Sequence, residues 1–259
     1  MFRPRVIPCL LLQGKGLVKT IRFKSPTYIG DPINAVRLFN EMEADELVFL
    51  DIQASREGRT IPLELVAQIG DEAYMPFSVG GGISSVEQVR DILQAGAEKV
   101  VINSAALRDP RCIEALAGEF GSQSIVVSID VRKRLFGAYD VFGMGGTKRF
   151  AADPVEHAIR VCRHGAGEIL LTAIDRDGTM QGYDLELIRQ FSAAVSIPVV
   201  AAGGAGGLED CLRAVENGAS AVAAGSLFVY YGLRKGVLIN YPEKEELRKL
   251  FGRAVRHPA

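Results

Sequence analysis

Short runs of consecutive apolar residues recur along this chain, and between them apolar positions return every three or four residues. The runs begin near Arg5 (RVIPCLL), Glu46 (ELVFLDI), Pro76 (PFSVGG), Lys99 (KVVINS), Ser124 (SIVVSID), Glu168 (EILLTAID), Pro198 (PVVAAGG) and Ala221 (AVAAGS). Being apolar at nearly every position, they predict eight strands covered on both faces, as in a parallel sheet. Between the first two runs, Asp31-Pro32 followed by Ala35, Leu38, Phe39 and Met42 supplies a cap, a first-turn proline and a one-sided apolar stripe, hence a helix. Residues 84–93, 153–161 and 208–215 follow the same plan. Strands alternating with helices at this spacing are βαβ units.

The second half of the pattern copies the first. Glu46-Leu47 and Glu168-Ile169, Pro76 and Pro198, Gly81-Gly82 and Gly203-Gly204, Gly96-Ala97 and Gly218-Ala219, and Asn103-Ser104 and Gly225-Ser226 are all separated by the same 122 residues. An open sheet has no reason to repeat itself, whereas two four-strand halves close naturally. The expected fold is therefore α/β, a single (β/α)8 TIM barrel with an internal half-barrel repeat, spanning residues 1–259 as one domain.

Composition narrows the chemistry mainly by exclusion. With 48% hydrophobic residues in 259, the chain can build a sizeable core. Its formal charge of −1 gives no whole-protein attraction to nucleic acid or an anionic membrane, so any anion binding is local. No apolar run approaches the roughly 18 residues of a membrane span, and the N-terminus has no signal-peptide plan, so the cytoplasm is the expected location. Cys9, Cys112, Cys162 and Cys211 are scattered without a CxxC pair; reduced, buried thiols are expected, with no metal site. His157, His164 and His257 are expected on the surface.

In a barrel of this kind, chemistry sits at the C-terminal strand ends. Four of these are small or glycine-rich: 80–82, 103–104, 203–207 and 225–226. They can be tight βα turns, or cradles in which backbone N–H groups and the following helix hold one phosphate per half. The repetition favours a ligand with a phosphate at each end. Of the strand-end carboxylates Asp51, Asp130, Asp175 and Asp177, Asp130 ends an otherwise apolar strand and is the best candidate acid or base. Aligning Val6–Leu11 with Ile125–Asp130 puts Leu11 where a symmetric barrel would hold a second carboxylate.

The segments VIPCL, GLVK, GDP, DELVFLDI, VGGGI, GAEKVVIN, FGSQSIVVSID, GAGEILLTAIDRDGT, GYD and AAGGAG together resemble the cyclase subunit of imidazole glycerol phosphate synthase, over residues 1 to about 230. The resemblance implies a barrel in a heterodimer with a glutaminase, receiving ammonia and using two aspartates beside a bisphosphorylated ligand, with no cofactor. Carried over by position, Asp130 matches the second catalytic aspartate and Lys19 a loop lysine, while Leu11 replaces the first aspartate. Gly82, Asn103, Ser104, Asp177, Gly178, Gly204, Gly225 and Ser226 match phosphate-binding positions. Arg5, Glu46, Lys99 and Glu168 match an ammonia gate at the opposite end, where two positive and two negative charges can neutralise one another.

Leu11, the LLLQGKGLVKT stretch and the tail AAGSLFVYYGLRKGVLINYP depart from the cyclase pattern and are similar to paralogues found with surface-polysaccharide genes. That similarity implies ammonia supply to a separate ATP-dependent amidotransferase acting on a sugar. Two other readings are an authentic cyclase of histidine biosynthesis, with Lys19 or Asp51 substituting for the lost aspartate, and a catalytically silent activator of a glutaminase. A lysine exposed to water is a poor base at neutral pH, which counts against the first substitution.

Overall fold

The computed structural model describes residues 3–134, 137–150, 152–232 and 234–254. All eight expected strands form: β1 (Arg5–Gln13), β2 (Leu47–Asp51), β3 (Phe77–Gly80), β4 (Lys99–Ile102), β5 (Ile125–Lys133), β6 (Glu168–Ala173), β7 (Val199–Ala202) and β8 (Ala221–Ala224). Each pairs in parallel with the next, and β8 pairs back to β1, so the sheet closes into the (β/α)8 barrel that the repeat predicts. Inside it pack Ile7, Val48, Val101, Val126, Leu170 and Val200, with alanines on β7 and β8. A larger apolar layer joins the outer strand faces to the helices.

Among the described residues, eight helices of nine to eleven residues surround the strands: α1 (Pro32–Glu41), α2 (Leu63–Glu72), α3 (Val86–Gln94), α4 (Arg111–Phe120), α5 (Pro154–Arg163), α6 (Leu185–Ala194), α7 (Leu208–Glu216) and α8 (Lys244–Ala254). Their starts carry the expected caps. Asp31 accepts from the Asn34 amide at 2.9 Å, Asp153 from the Val155 and Glu156 amides, and Ser85 forms a capping box with Gln88. At the start of α8 the charged residues 243–246 face solvent while Leu247, Leu250 and Phe251 are buried. Tyr241 anchors this tail to the N-terminal end of the barrel: its hydroxyl donates to the Val6 carbonyl at 2.8 Å and accepts from the Asp45 amide at 3.2 Å.

Strand pairing shows the half-barrel repeat independently of residue likeness. Leu11 lies opposite Leu50 and Asp130 opposite Thr172, and Leu50 and Thr172 are themselves 122 residues apart. Leu11 and Asp130 thus occupy the same place in the two halves.

Among the described residues three antiparallel hairpins escape the strand-and-helix pattern. Gly16–Ile21 with Lys24–Gly30 continues β1, Tyr139–Gly143 with Lys148–Phe150 continues β5, and Tyr230–Tyr231 with Gly236–Val237 follows β8. The outer strands of the first two are too polar, and that of the third too short, to register as apolar runs.

Some expectations need correction. His157 is buried against the barrel, where desolvation lowers its pKa to about 4. It sits on the inward stripe of α5 beside Ala158 and Val161, and its Nε2 has no partner among the described residues. His164 is half-buried beside Glu114, and His257 lies outside the described residues. Only Cys211 is fully buried; the other three thiols are partly exposed. Lys19 lies in the first hairpin and is buried, not exposed. Among the described residues no helix is long and apolar enough to cross a membrane.

Candidate functional site

The C-terminal strand ends and the first two hairpins enclose a cavity of about 310 Å³. Its wall brings together Leu11, Lys19, Asp130 and all eight residues expected at the phosphate positions: Gly82, Asn103, Ser104, Asp177, Gly178, Gly204, Gly225 and Ser226.

Asp130 is the one buried carboxylate here without a cation on it among the described residues. Ser128 Oγ donates to its Oδ1 at 3.0 Å and Asn103 Nδ2 to its Oδ2 at 3.1 Å. Desolvation pushes its pKa up to about 7; hydrogen bonds from Ser128 and Thr172 pull the other way, and the nearby Asp177 charge adds to the rise. A carboxyl tuned to that value can take or give a proton near neutral pH. Across the cavity, Leu11 is 8% exposed and offers only methyl groups. Cys9 and Leu50 flank it, where the other half has Ser128 and Thr172.

Lys19 and the other carboxylates are already engaged, while Arg56 and Arg108 line the cavity with backbone carbonyls as their only hydrogen-bond partners among the described residues. Lys19 Nζ bonds Asp177 Oδ1 at 2.9 Å and Thr20 Oγ1 donates to the other carboxylate oxygen, so this ion pair ties the first hairpin to the loop after β6. Asp51 accepts from the Gln53 and Ala54 amides and pairs with Arg59 at 2.5 Å. It therefore lacks the freedom to stand in for a missing acid. Asp175 accepts from the Lys133 amide and does not line the cavity.

Two glycines 122 residues apart line the cavity wall. Gly82 has φ +68° and Gly204 φ +121°, and a Cβ would come within 1.8 Å of the Arg59 carbonyl oxygen at the former and 2.2 Å of the Gly182 carbonyl oxygen at the latter. Only glycine fits either place. Ser104 Oγ accepts from the Met144 amide at 2.9 Å, whereas its counterpart, the buried Ser226 Oγ, has no partner among the described residues.

At the N-terminal end, Arg5, Glu46, Lys99 and Glu168 form a closed ring of alternating charge. Arg5 bridges both glutamates, and Lys99 meets Glu46 at 3.0 Å and Glu168 at 3.1 Å. Ser78 Oγ adds a hydrogen bond to Glu46 at 3.0 Å. The glutamates are buried and the cations partly open to solvent. The apolar barrel interior lies between this ring and the cavity.

Sequence reasoning missed Thr20, Ser128, Thr172 and Arg59. A signal existed for two of them: Ser128 and Thr172 are polar where the repeat places Cys9 and Leu50.

Comparison with known proteins gives consistent matches. The family described as histidine biosynthesis protein matches residues 5–234. A Leptospira interrogans protein and a Pseudomonas aeruginosa protein, each named "Putative imidazole glycerol phosphate synthase subunit", are both 49% identical, over 97% and 95% of this chain and 100% and 99% of their own lengths. The imidazole glycerol phosphate synthase subunit of Alkaliphilus metalliredigens is 46% identical over 89% of this chain and 92% of its own.

Proposed function

This chain belongs to the histidine biosynthesis protein family, and from that premise we propose that its cyclase-subunit-like barrel pairs with a glutaminase and conducts ammonia to an enzyme that amidates a sugar for surface polysaccharide. The observation that carries this reading is Leu11. It stands at the repeat-equivalent of Asp130 and leaves the cavity with proton-transfer chemistry on one wall only. General acid–base groups each contribute roughly 10²- to 10⁴-fold, so a barrel with one aspartate should be a very poor cyclase. A neutral, apolar wall suits passage of uncharged ammonia.

In this reading Arg5, Glu46, Lys99 and Glu168 gate ammonia arriving from the glutaminase, which sits at the N-terminal end. The interior apolar residues carry the ammonia forward. The recesses at Gly82, Asn103 and Ser104 and at Asp177, Gly178, Gly204, Gly225 and Ser226 hold the two ends of a phosphorylated ligand. Asp130 and Lys19 orient what lies between them.

An authentic cyclase is the second reading, favoured by the poising of Asp130 near neutrality. One assay separates the two: the purified chain is supplied with the bisphosphorylated ribulose substrate of the cyclase reaction and excess ammonium salt. Turnover at least about a hundredfold below that of an ordinary cyclase is expected. Turnover at the ordinary rate would restore histidine biosynthesis as the function.

A further inference from the structure

The cations on the cavity wall are not shared between the halves. Lys19, Arg56, Arg59 and Arg108 line it from the first half, and among the described residues the second half contributes none. At a spacing of 122 residues the counterparts of Arg56, Arg59 and Arg108 are Gly178, Gln181 and Tyr230. Gly178 has φ +73°, and a Cβ there would lie 2.3 Å from the Thr20 carbonyl oxygen. The first hairpin therefore closes over the place that Arg56 occupies, exposed to solvent, in the other half.

Two of the four cations are neutralised by acids of the same wall. Lys19 pairs with Asp177 at 2.9 Å and Arg59 with Asp51 at 2.5 Å. Asp130, the third acid on the wall, is held by Ser128 and Asn103. The acids next to the two other arginines in the chain are also engaged, Glu57 with Arg59 at 2.6 Å and Asp109 with Arg111 at 2.8 Å. Arg56 reaches only the Ile52 carbonyl, at 3.4 Å, and Arg108 only the Ser104 carbonyl, at 3.2 Å, among the described residues.

Both arginines belong to one end of the cavity. β2, β3 and β4 are consecutive paired strands, and the loops after them bring Arg56, Gly82 and Ser104 with Arg108 to the wall. The Gly82 amide donates to Ser55 Oγ at 3.2 Å, beside Arg56. The turn of the second hairpin joins the two sides. Its Met144 amide donates to Ser104 Oγ at 2.9 Å, and a Cβ on Gly145 would lie 3.9 Å from Arg56 Nε.

We propose that Arg56 and Arg108 clamp a phosphate monoester dianion at the first-half end of the cavity and so set which way round a phosphorylated ligand lies. The inference rests on the preceding section's reading of the cavity as the site of such a ligand, and not on where ammonia goes. A phosphate monoester carries about −1.5 to −2 charges at neutral pH, which two guanidinium groups balance, whereas a carboxylate carries one. Their planar forks of N–H donors match phosphate oxygens in pairs. At the other end the Lys19 charge is already met by Asp177, so that end takes the less charged part of the ligand.

The test is titration of the full-length chain with inorganic phosphate at pH 7.5, followed by the NMR shifts of the Gly82 and Ser104 amides at one end and of the Gly204 and Ser226 amides at the other. The first pair is expected to saturate at a phosphate concentration at least about threefold lower. Sulfate should behave as phosphate does, and acetate should bind at least about tenfold more weakly. The double variant Arg56→Gln, Arg108→Gln should weaken phosphate at the first end at least about tenfold and leave the second end as it was. Both side chains are exposed, so the variant should keep the wild-type amide spectrum elsewhere. Equal saturation of the two ends, tighter binding at the second, no binding at the first, or an unchanged first end in the double variant would each overturn the clamp. The ammonia-donor reading fails separately, by ordinary wild-type cyclase turnover, whatever the phosphate titration shows.

Discussion

The two halves of this barrel share a backbone and strand register, yet their cavity walls are chemical opposites. On the second half Asp130 is supported by Ser128 and Thr172; on the first the same three places hold Leu11, Cys9 and Leu50. At the other end of the barrel the halves complement each other. Glu46 and Glu168 are repeat equivalents, while both cations, Arg5 and Lys99, come from the first half, and their equivalents are Ser124 and Ala221. A repeat therefore fixes where chemistry can be placed, and individual side chains decide whether it is.

The sharpest way to break the contrast is to make the halves alike. Leu11→Asp should raise cyclase turnover with ammonium salt by roughly 10²-fold or more. Adding Cys9→Ser and Leu50→Thr, which supply the hydrogen bonds that Asp130 enjoys, should raise it further by stabilising a carboxylate in a buried place. Kinetics on the single and triple variants with the bisphosphorylated substrate measure this. No gain in the triple variant would mean that Leu11 is not what separates the halves.

A second contrast lies in pH dependence. Asp130 titrates near 7 in the fold against an ordinary value of 3.8. Between those values the native protein keeps a proton that the unfolded chain has lost, so stability falls as pH rises from about 4 to about 7 and is level above that. At 1.36 kcal/mol per unit the burial costs up to roughly 4 kcal/mol at pH 8. Urea unfolding at pH 5 and pH 8 should show the part of this loss that falls between them, about 2 units or roughly 3 kcal/mol, in the wild type and not in Asp130→Asn. Leu11→Asn should leave the wild-type pH dependence intact, because the first half contributes no titrating group there.

The shared end of the barrel offers a smaller effect. Lys99→Ala leaves Glu46 and Glu168 facing one another with Arg5 as their only cation. Because Lys99 and Arg5 reach solvent, the fold should survive at a cost of about 1–3 kcal/mol, below that of breaking a fully buried pair. Coupling, measured as product aminated per glutamine hydrolysed in the reconstituted complex, should fall several-fold, with rates on added ammonium preserved. Unchanged coupling would remove the gate from the proposed function.

How much of this was legible in the sequence follows from the same repeat. Eight strands and the barrel closure could be read because each strand is apolar on both faces and its end motif recurs after 122 residues. The Leu11 substitution was legible for the same reason, whereas the four ring residues were named from the resemblance to the cyclase subunit. The hairpins were not, since residues 22–28 form a strand edge that buries little and so leaves no period in the sequence. Nor was the burial of Lys19 or the engagement of Asp51 by Arg59, because each depends on a partner set by loop geometry rather than by strand register.

The finest test of the comparison concerns a single hydroxyl. Ser128 donates to Asp130 at 3.0 Å, and a hydrogen bond to the ionised form favours that form. Ser128→Ala removes the donor, so the charged carboxylate loses support and the pKa must rise above about 7. A hydrogen bond of this kind is worth about 1 kcal/mol net, and the rise should therefore be somewhat under one unit. Asn103, donating to the other carboxylate oxygen, limits the change. The equivalent substitution in the first half, Cys9→Ala, leaves that donor in place and should move the Asp130 titration little. Carbon-detected NMR of the Asp130 carboxyl across pH 5–9 follows both variants directly. An Asp130 pKa that falls in Ser128→Ala, or that shifts equally in Cys9→Ala, would mean that the polar wall is not tuned by its own strand.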